Sequence, residues 1–235
     1  MIYLLTFAGG KIFQNVQKLL GQTINILGAN KNIVYTEKDI IRTDFYKINR
    51  RIFSKRHGFG LYIWKPYIIL QELYKIADGD YIFYCDCSRH YPIGFNNSIV
   101  PVIDYMIKNN IDIMPGNIQT VRNGIHTSDD CINIIRLDHD FDIKKYKYSL
   151  QHTAGHIILK KSNRSIEFIN EWLKYCQIWQ CIRKKKIKSG FNNCDMAILN
   201  VLLFIYNIKN PMKPLDKYTA RNHNIFLSQF ANFIE

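Results

Sequence analysis

The stretch from Gly58 to Ser88, GFGLYIWKPYIILQELYKIADGDYIFYCDCS, constrains the fold more than any other part of this chain. Pro66 suits the first position of a helix, where its missing N–H costs nothing. Ile69, Leu73 and Ile76 then fall on one helical face, and Asp78-Gly79 stops the helix. Tyr81 to Cys85 follows as an apolar run too short for a helix and suited to a strand buried on both faces. That run leads into Asp86. An acid just past the end of a buried strand lies where an α/β sheet presents its ligand.

The rest of the chain alternates in the same way. Ile2 to Thr6 is expected as a first strand, with Phe7, Ala8, Gly9 and Gly10 as the turn after it. Phe13 to Leu20 has helical spacing. Ile24 to Leu27 and Lys31 to Tyr35 are expected as short strands, and Asp44 to His57 as helical. A helix over Pro101 to Asn109 and a strand over Ile111 to Met114 end at Pro115-Gly116. Asn117 to Asp130 is polar and lacks a clear period. Cys131 to Leu137 and His156 to Leu159 are expected as strands. Ser162 to Gln177 has the strongest helical pattern, with Ser162 or Asn163 as its cap. Asn193 is expected to cap a helix from Cys194 to about Tyr206. The tail from Asn207 has two prolines and little periodicity. Alternating strands and helices predict one α/β domain with a mainly parallel central sheet.

Composition narrows the class. Hydrophobic residues make up 47% of the 235 residues, which excludes a disordered chain. No run reaches the roughly 18 apolar residues of a membrane span. The N-terminus lacks a basic leader, so a cytoplasmic protein is expected. The six cysteines then read as reduced, buried thiols, and their spacing argues against a zinc site. A formal charge of +13 favours anionic partners, and it clusters in Lys144–Lys147 and Arg183–Lys188. Such short runs are expected as solvated loops.

Several residues could carry chemistry. Asp86, with Ser88 two residues on, could hold Mg²⁺ or Mn²⁺ against a diphosphate, or could cap the next turn. Lys65 is a candidate diphosphate contact or a surface lysine, and Trp64 is a stacking surface. Thr6, Phe7, Ala8 and Gly9 form a turn against which a nucleotide could lie. Gly155 fits a turn before a strand. Asp195 stands in the first turn of a helix, where the dipole favours an acid whatever its role. His152, His156 and His223 fit either ligands or hydrogen-bonded structural side chains.

Four segments carry a resemblance. Tyr84-Cys85-Asp86-Cys87-Ser88 resembles the Asp-X-Asp region of glycosyltransferases with the GT-A fold, with Ser88 in place of the second acid. Gln151 to Leu159, including Ala154-Gly155, resembles the Asn-Ala-Gly strand of family 8 glycosyltransferases. Cys194 to Asn200 resembles the Asp-Gln-Asp helix start of that family, and Trp172 lies between the two. Gly58 to Pro66 looks like the Trp-Lys-Pro lead-in of small capsule- and glycan-building transferases.

The resemblance covers roughly Met1 to Asn200. It implies a Rossmann-like GT-A domain, with 1–90 as the nucleotide-sugar half and 91–235 as the acceptor-side half and tail. It implies metal-assisted transfer of a sugar from a UDP-sugar to a glycan or glycoprotein. Thr6, Phe7, Ala8, Gly9, Trp64, Lys65, Asp86 and Ser88 would bind the donor. Asp86, Ser88 and a late histidine, His223, would hold Mn²⁺ or Mg²⁺. Ala154 and Gly155 would line the acceptor side, and Asp195 and His152 would face the reacting carbon. Two other classes stay open. One is a basic nucleic-acid-binding protein, although no such motif is present. The other is a GT-A-like protein that binds sugar nucleotide without turnover.

Overall fold

The computed structural model describes residues 1–88, 94–187, 190–192 and 194–231. Seven strands matter here: β1 (Ile2–Ala8), β2 (Lys31–Thr36), β3 (Tyr81–Asp86), β4 (Ile113–Pro115), β5 (Ile118–Arg122), β6 (Leu150–His152) and β7 (His156–Lys160). Five of them form the central sheet in the order β2-β1-β3-β7-β4. β1 runs parallel to β2 and β3, and β7 runs antiparallel to both β3 and β4. The sheet is therefore mainly parallel with one reversed strand. Helices flank it, as the alternating pattern predicts.

Side-chain alternation along the strands splits the core between the two faces of the sheet. Leu5, Phe7, Ile82, Tyr84, Ile157 and Leu159 point to one face. There they meet the helices Trp64–Lys75, Asn163–Cys176 and Cys194–Ile205. Leu4, Ala8, Phe83, Cys85 and Ile158 point to the other. They meet the helices Lys11–Gln22, Val100–Lys108 and His223–Ala231. Strands buried on both faces explain why YIFYC reads as continuously apolar. All six cysteines are free and buried, as expected of plain thiols.

Two sequence expectations need correction, and two segments without a readable pattern hold regular structure. Ile24–Leu27 is a helical turn, ended by Gly28 in the left-handed region (φ 79°). Four apolar residues are too few for period to decide. Asp129–Ile135 is a helix, not a strand over Cys131 to Leu137. Ser128 caps it by accepting from the Cys131 N–H, and Asp129 and Asp130 occupy its first turn. The tail contains the helix His223–Ala231. Finally, β5, which lies in the stretch with no readable period, forms a separate antiparallel ribbon with β6. Its inward positions hold buried Gln119 and Gln151, so the usual apolar signal is missing. The expected cap, Asn193, lies outside the described residues, as does Lys188 of the second basic run.

The turn before β7 is held by close packing. A Cβ on Gly116 would lie 2.6 Å from the Thr153 carbonyl oxygen and 2.7 Å from that of His156. Backbone cannot yield as a flexible side chain can. Gly116→Ala should destabilise the fold by about 1–3 kcal/mol, the usual cost of overpacking. Thermal denaturation should show a Tm loss of about 2–4 °C per kcal/mol for a chain of this size.

Candidate active site

Because β7 is reversed, its first residues lie beside the carboxyl end of β3, next to which β1 also ends. Phe7 is paired with Asp86, and Cys85 with His156. The Asp86 N–H donates to the Gly155 carbonyl at 2.7 Å, which brings the 153–155 turn against the end of β3. This is the edge where parallel sheets place ligands.

Lys65 enters this junction from the start of the Trp64–Lys75 helix. Its side chain is 3% exposed. The ammonium donates to the Ala154 carbonyl at 2.9 Å. It lies 3.2 Å from Asp86 Oδ1 and 3.3 Å from Asp195 Oδ2. Three rings stand around it, Tyr84, Tyr62 and Trp64, with centroids 5.3, 5.4 and 6.0 Å away. The Tyr84 hydroxyl donates a short hydrogen bond to Asp86 Oδ1. Trp172 donates through Nε1 to the Asp195 carbonyl at 3.0 Å, fixing the first turn of the Cys194–Ile205 helix.

The electrostatics follow from burial. Burial alone would lower the Lys65 pKa, but Asp195 and Asp86 outweigh it and the net shift is upward. The ammonium therefore stays charged. Burial pushes the Asp195 carboxyl up to about 6; Lys65 opposes that push and Asp86 adds to it. Asp195 is thus a carboxylate that takes up a proton only slightly below neutrality. Asp86 differs in access: its side chain is 36% exposed and that of Asp195 only 4%.

The chain reaches Lys65 through an unusual turn. Gly58, Phe59, Gly60, Leu61 and Tyr62 all have positive φ, between 47° and 83°. Leu61 and Tyr62 donate backbone bonds to His57 and Gly58, so the segment is one left-handed helical turn. Such a turn costs about 1–2 kcal/mol at each non-glycine residue. Glycine is required at position 60, where φ is 83° and a Cβ would come within 3.1 Å of the Phe53 Cα. Trp64 Nε1 closes the turn by donating to the Gly58 carbonyl at 2.9 Å. Its ring stacks on Phe7 at 3.7 Å between centroids.

These parts line a cleft of about 870 Å³. Phe7, Phe53, Phe59, Tyr62 and Trp64 supply aromatic surface. Asp86, Lys65, Asp195, Ala154 and Gly155 lie along it. Lys55, Arg56, Lys184 and Arg221 also line it, so among the described residues cations outnumber carboxylates. His57 lines it too, and its pKa is lowered by burial and then by the Lys184 charge. Clustered cations along a concave surface attract an anion.

The expected residues divide clearly. Phe7, Gly9, Trp64, Lys65, Asp86, Ser88, Ala154, Gly155 and Asp195 line the cleft; Thr6, Ala8, His152 and His223 are not among its lining residues. Thr6 accepts from Gln17 Nε2 at 3.1 Å, and Ala8 packs into the opposite core. His152 has a buried ring whose pKa burial lowers to about 4. Its backbone is tied in both directions to Asn200, at 2.7 and 2.9 Å. His223 lies on the far face of the sheet, where its ring packs on Phe95 at 4.9 Å. Reading the sequence missed Lys55, Arg56, Phe59, Lys184 and Arg221. Lys184 sits in a basic run that reads as a solvated loop, and in that run Arg183 and Lys185 do pair with Asp130.

A resident divalent metal does not fit this donor set. His223 is separated from Asp86 by the sheet. The space between the two carboxylates holds the Lys65 ammonium, which already engages Asp86 Oδ1 together with the Tyr84 hydroxyl. A divalent ion sharing those carboxylates would stand close to a like charge. Among the described residues, no group of three or more His, Cys, Asp or Glu side chains is placed to hold a metal.

No family model and no curated protein matches this chain. Among solved structures it is similar to the apo structure of the WbbM bifunctional glycosyltransferase, with a TM-score of 0.48 and 12% identity. The likeness covers 86% of this chain and 37% of that one.

The carboxylate–lysine–carboxylate cluster should dominate local stability. Lys65→Met leaves the buried Asp195 carboxylate facing the partly exposed one of Asp86 and should cost about 3 kcal/mol, the low end for a broken buried pair because water reaches Asp86. Asp195→Asn in the same background should recover part of that loss. A double-mutant cycle by urea denaturation measures the coupling; additive losses would contradict it.

Proposed function

We propose that this chain is a glycosyltransferase that takes a nucleotide-sugar, of the UDP-sugar class, and transfers its sugar to a hydroxyl of a glycan or glycoprotein. One observation carries the reading. A single cleft at the strand ends joins an aromatic wall, a cationic rim and a buried carboxylate–lysine–carboxylate cluster. Its volume is in the range of small-molecule sites. No described helix is long and apolar enough to cross a membrane.

Each part has a role in such a transfer. The base and ribose lie against Phe7, Trp64 and the left-handed turn, where rings offer stacking surface. The diphosphate meets Lys55, Arg56, Lys184 and Arg221, whose charge offsets what builds on the leaving group. The sugar lies near Asp86 and the 153–155 turn, with Asp86 accepting hydrogen bonds from its hydroxyls. Gly155 keeps that approach open, since a Cβ there would stand 3.5 Å from Asp86 Oδ2. The acceptor hydroxyl attacks the anomeric carbon, and the bond to the diphosphate oxygen breaks. Asp195 serves as the carboxylate beside the reacting carbon. In an inverting reaction it receives the acceptor proton; in a retaining one, toward which the family 8 likeness points, it stabilises the oxocarbenium-like sugar and the acceptor proton passes to the departing diphosphate oxygen. A carboxylate raised toward neutrality by burial suits proton transfer. Lys65 holds both carboxylates in place.

The test is a panel of nucleotide-sugars scored for hydrolysis and transfer. Asp86→Asn and Asp195→Asn should each lower turnover of the preferred donor by about a hundredfold or more. A chain that turns over none of them, or variants that match wild type, would sink the assignment.

The pH profile gives a separate check. Asp195 acts as a carboxylate with a pKa near 6, so protonation removes activity on the acid side. kcat/KM should rise as pH increases through about 6 and then level off. Asp195→Asn should abolish that limb along with most of the rate. A flat profile across this range would show that Asp195 is not the titrating group.

A further inference from the structure

We infer that this cleft binds its nucleoside diphosphate without a divalent cation, because the protein supplies the positive charge itself. The inference rests on the nucleotide-sugar reading of the cleft and goes beyond it in naming what neutralises the diphosphate. Lys65 occupies the position between the carboxylates of Asp86 and Asp195 that a metal would need. The surroundings suit an ammonium. The Ala154 carbonyl accepts one of its protons, and the faces of Tyr62, Trp64 and Tyr84 stand within 6.0 Å. A hard divalent ion requires six or more oxygen ligands and gains little from aromatic faces. Lys65 is engaged by both carboxylates and by the Ala154 carbonyl, so its charge is already matched within the protein. Besides Lys65, the cations that line the cleft are Lys55, Arg56, Lys184 and Arg221, against the carboxylates of Glu37, Asp86 and Asp195. These cations come from three separate segments and converge on one concavity, an arrangement that focuses positive potential on a compact anion.

Isothermal calorimetry with UDP and with inorganic pyrophosphate tests this directly, run once in EDTA and once in Mn²⁺. The expected result is binding in EDTA with affinity within about twofold of that in Mn²⁺. Arg56→Ala and Lys184→Ala should each weaken both probes about tenfold in EDTA. A paramagnetic-resonance titration of Mn²⁺ with the wild-type protein alone should show no bound ion. In Lys65→Ala the two carboxylates lose their counter-ion, so Mn²⁺ should bind and raise the variant's Tm, while leaving wild type unmoved. The wild-type titrations decide the matter even where that variant does not fold. Binding of UDP only with Mn²⁺, or Mn²⁺ held by the wild-type protein, would overturn the inference. Metal-dependent sugar transfer would do the same while leaving the glycosyltransferase reading intact. Failure of both probes in either condition would remove the inference and the nucleotide reading together. A folded Lys65→Ala that ignores Mn²⁺ would show that Lys65 does not stand in a metal's place.

Discussion

The Lys65 ammonium between Asp86 and Asp195 is the interaction on which the rest of the site depends. Removing three charges from water is expensive, and their mutual attraction offsets that cost only when the geometry is good. Here the geometry draws on four separated parts of the chain. β3 ends at Asp86, the Trp64–Lys75 helix carries Lys65 in its first turn, the 153–155 turn supplies the Ala154 carbonyl, and the Cys194–Ile205 helix carries Asp195 in its first turn. Trp172 and Tyr84 add hydrogen bonds that fix the two acidic segments. The cluster therefore couples the helix layer on one face of the sheet to the strand ends. It also sets a proton affinity for Asp195 that neither its residue type nor its neighbours in sequence would give.

The left-handed turn at 58–62 is the second constraint, and it serves the first. Three non-glycine residues hold positive φ there, at a combined cost of a few kcal/mol. Strain of this kind persists only where surrounding structure holds it. What holds it is visible: the Trp64 indole bond to Gly58, the Phe7–Trp64 stack, and burial of Leu61. In return the turn places Phe59 and Tyr62 along the cleft and leads directly into Trp64 and Lys65. The aromatic wall and the buried lysine are thus products of one local conformation.

Much of the fold was legible because strands buried on both faces leave short apolar runs. Tyr81–Cys85, Ile2–Thr6 and His156–Leu159 are all strands of the central sheet. Cys131–Leu137 misled because its apolar residues mask a helix whose start signal, Ser128-Asp129-Asp130, lies just ahead. The β5–β6 ribbon was invisible because it buries glutamines instead of apolar side chains. In the site, Asp86, Asp195, Lys65 and Gly155 stood out by their positions at strand ends and helix starts, where backbone groups and side chains face open space. The histidines did not separate in this way: His152 and His223 look alike in sequence, yet one is buried beside Asn200 and the other lies across the sheet.

By itself the sequence determined a helix-flanked, mainly parallel sheet and the end of it that carries acids, because periodicity and punctuation act over a few residues. Only the tertiary structure decided what those acids do together. The reversal of β7 brings Ala154 and Gly155 to the end of β3, and the left-handed turn carries Lys65 inward between two carboxylates over a hundred positions apart in the chain. Whether an acidic pair faces a metal or an internal lysine is a matter of a few ångströms between distant segments. Coulomb energy is steep at that distance, and no local pattern records it.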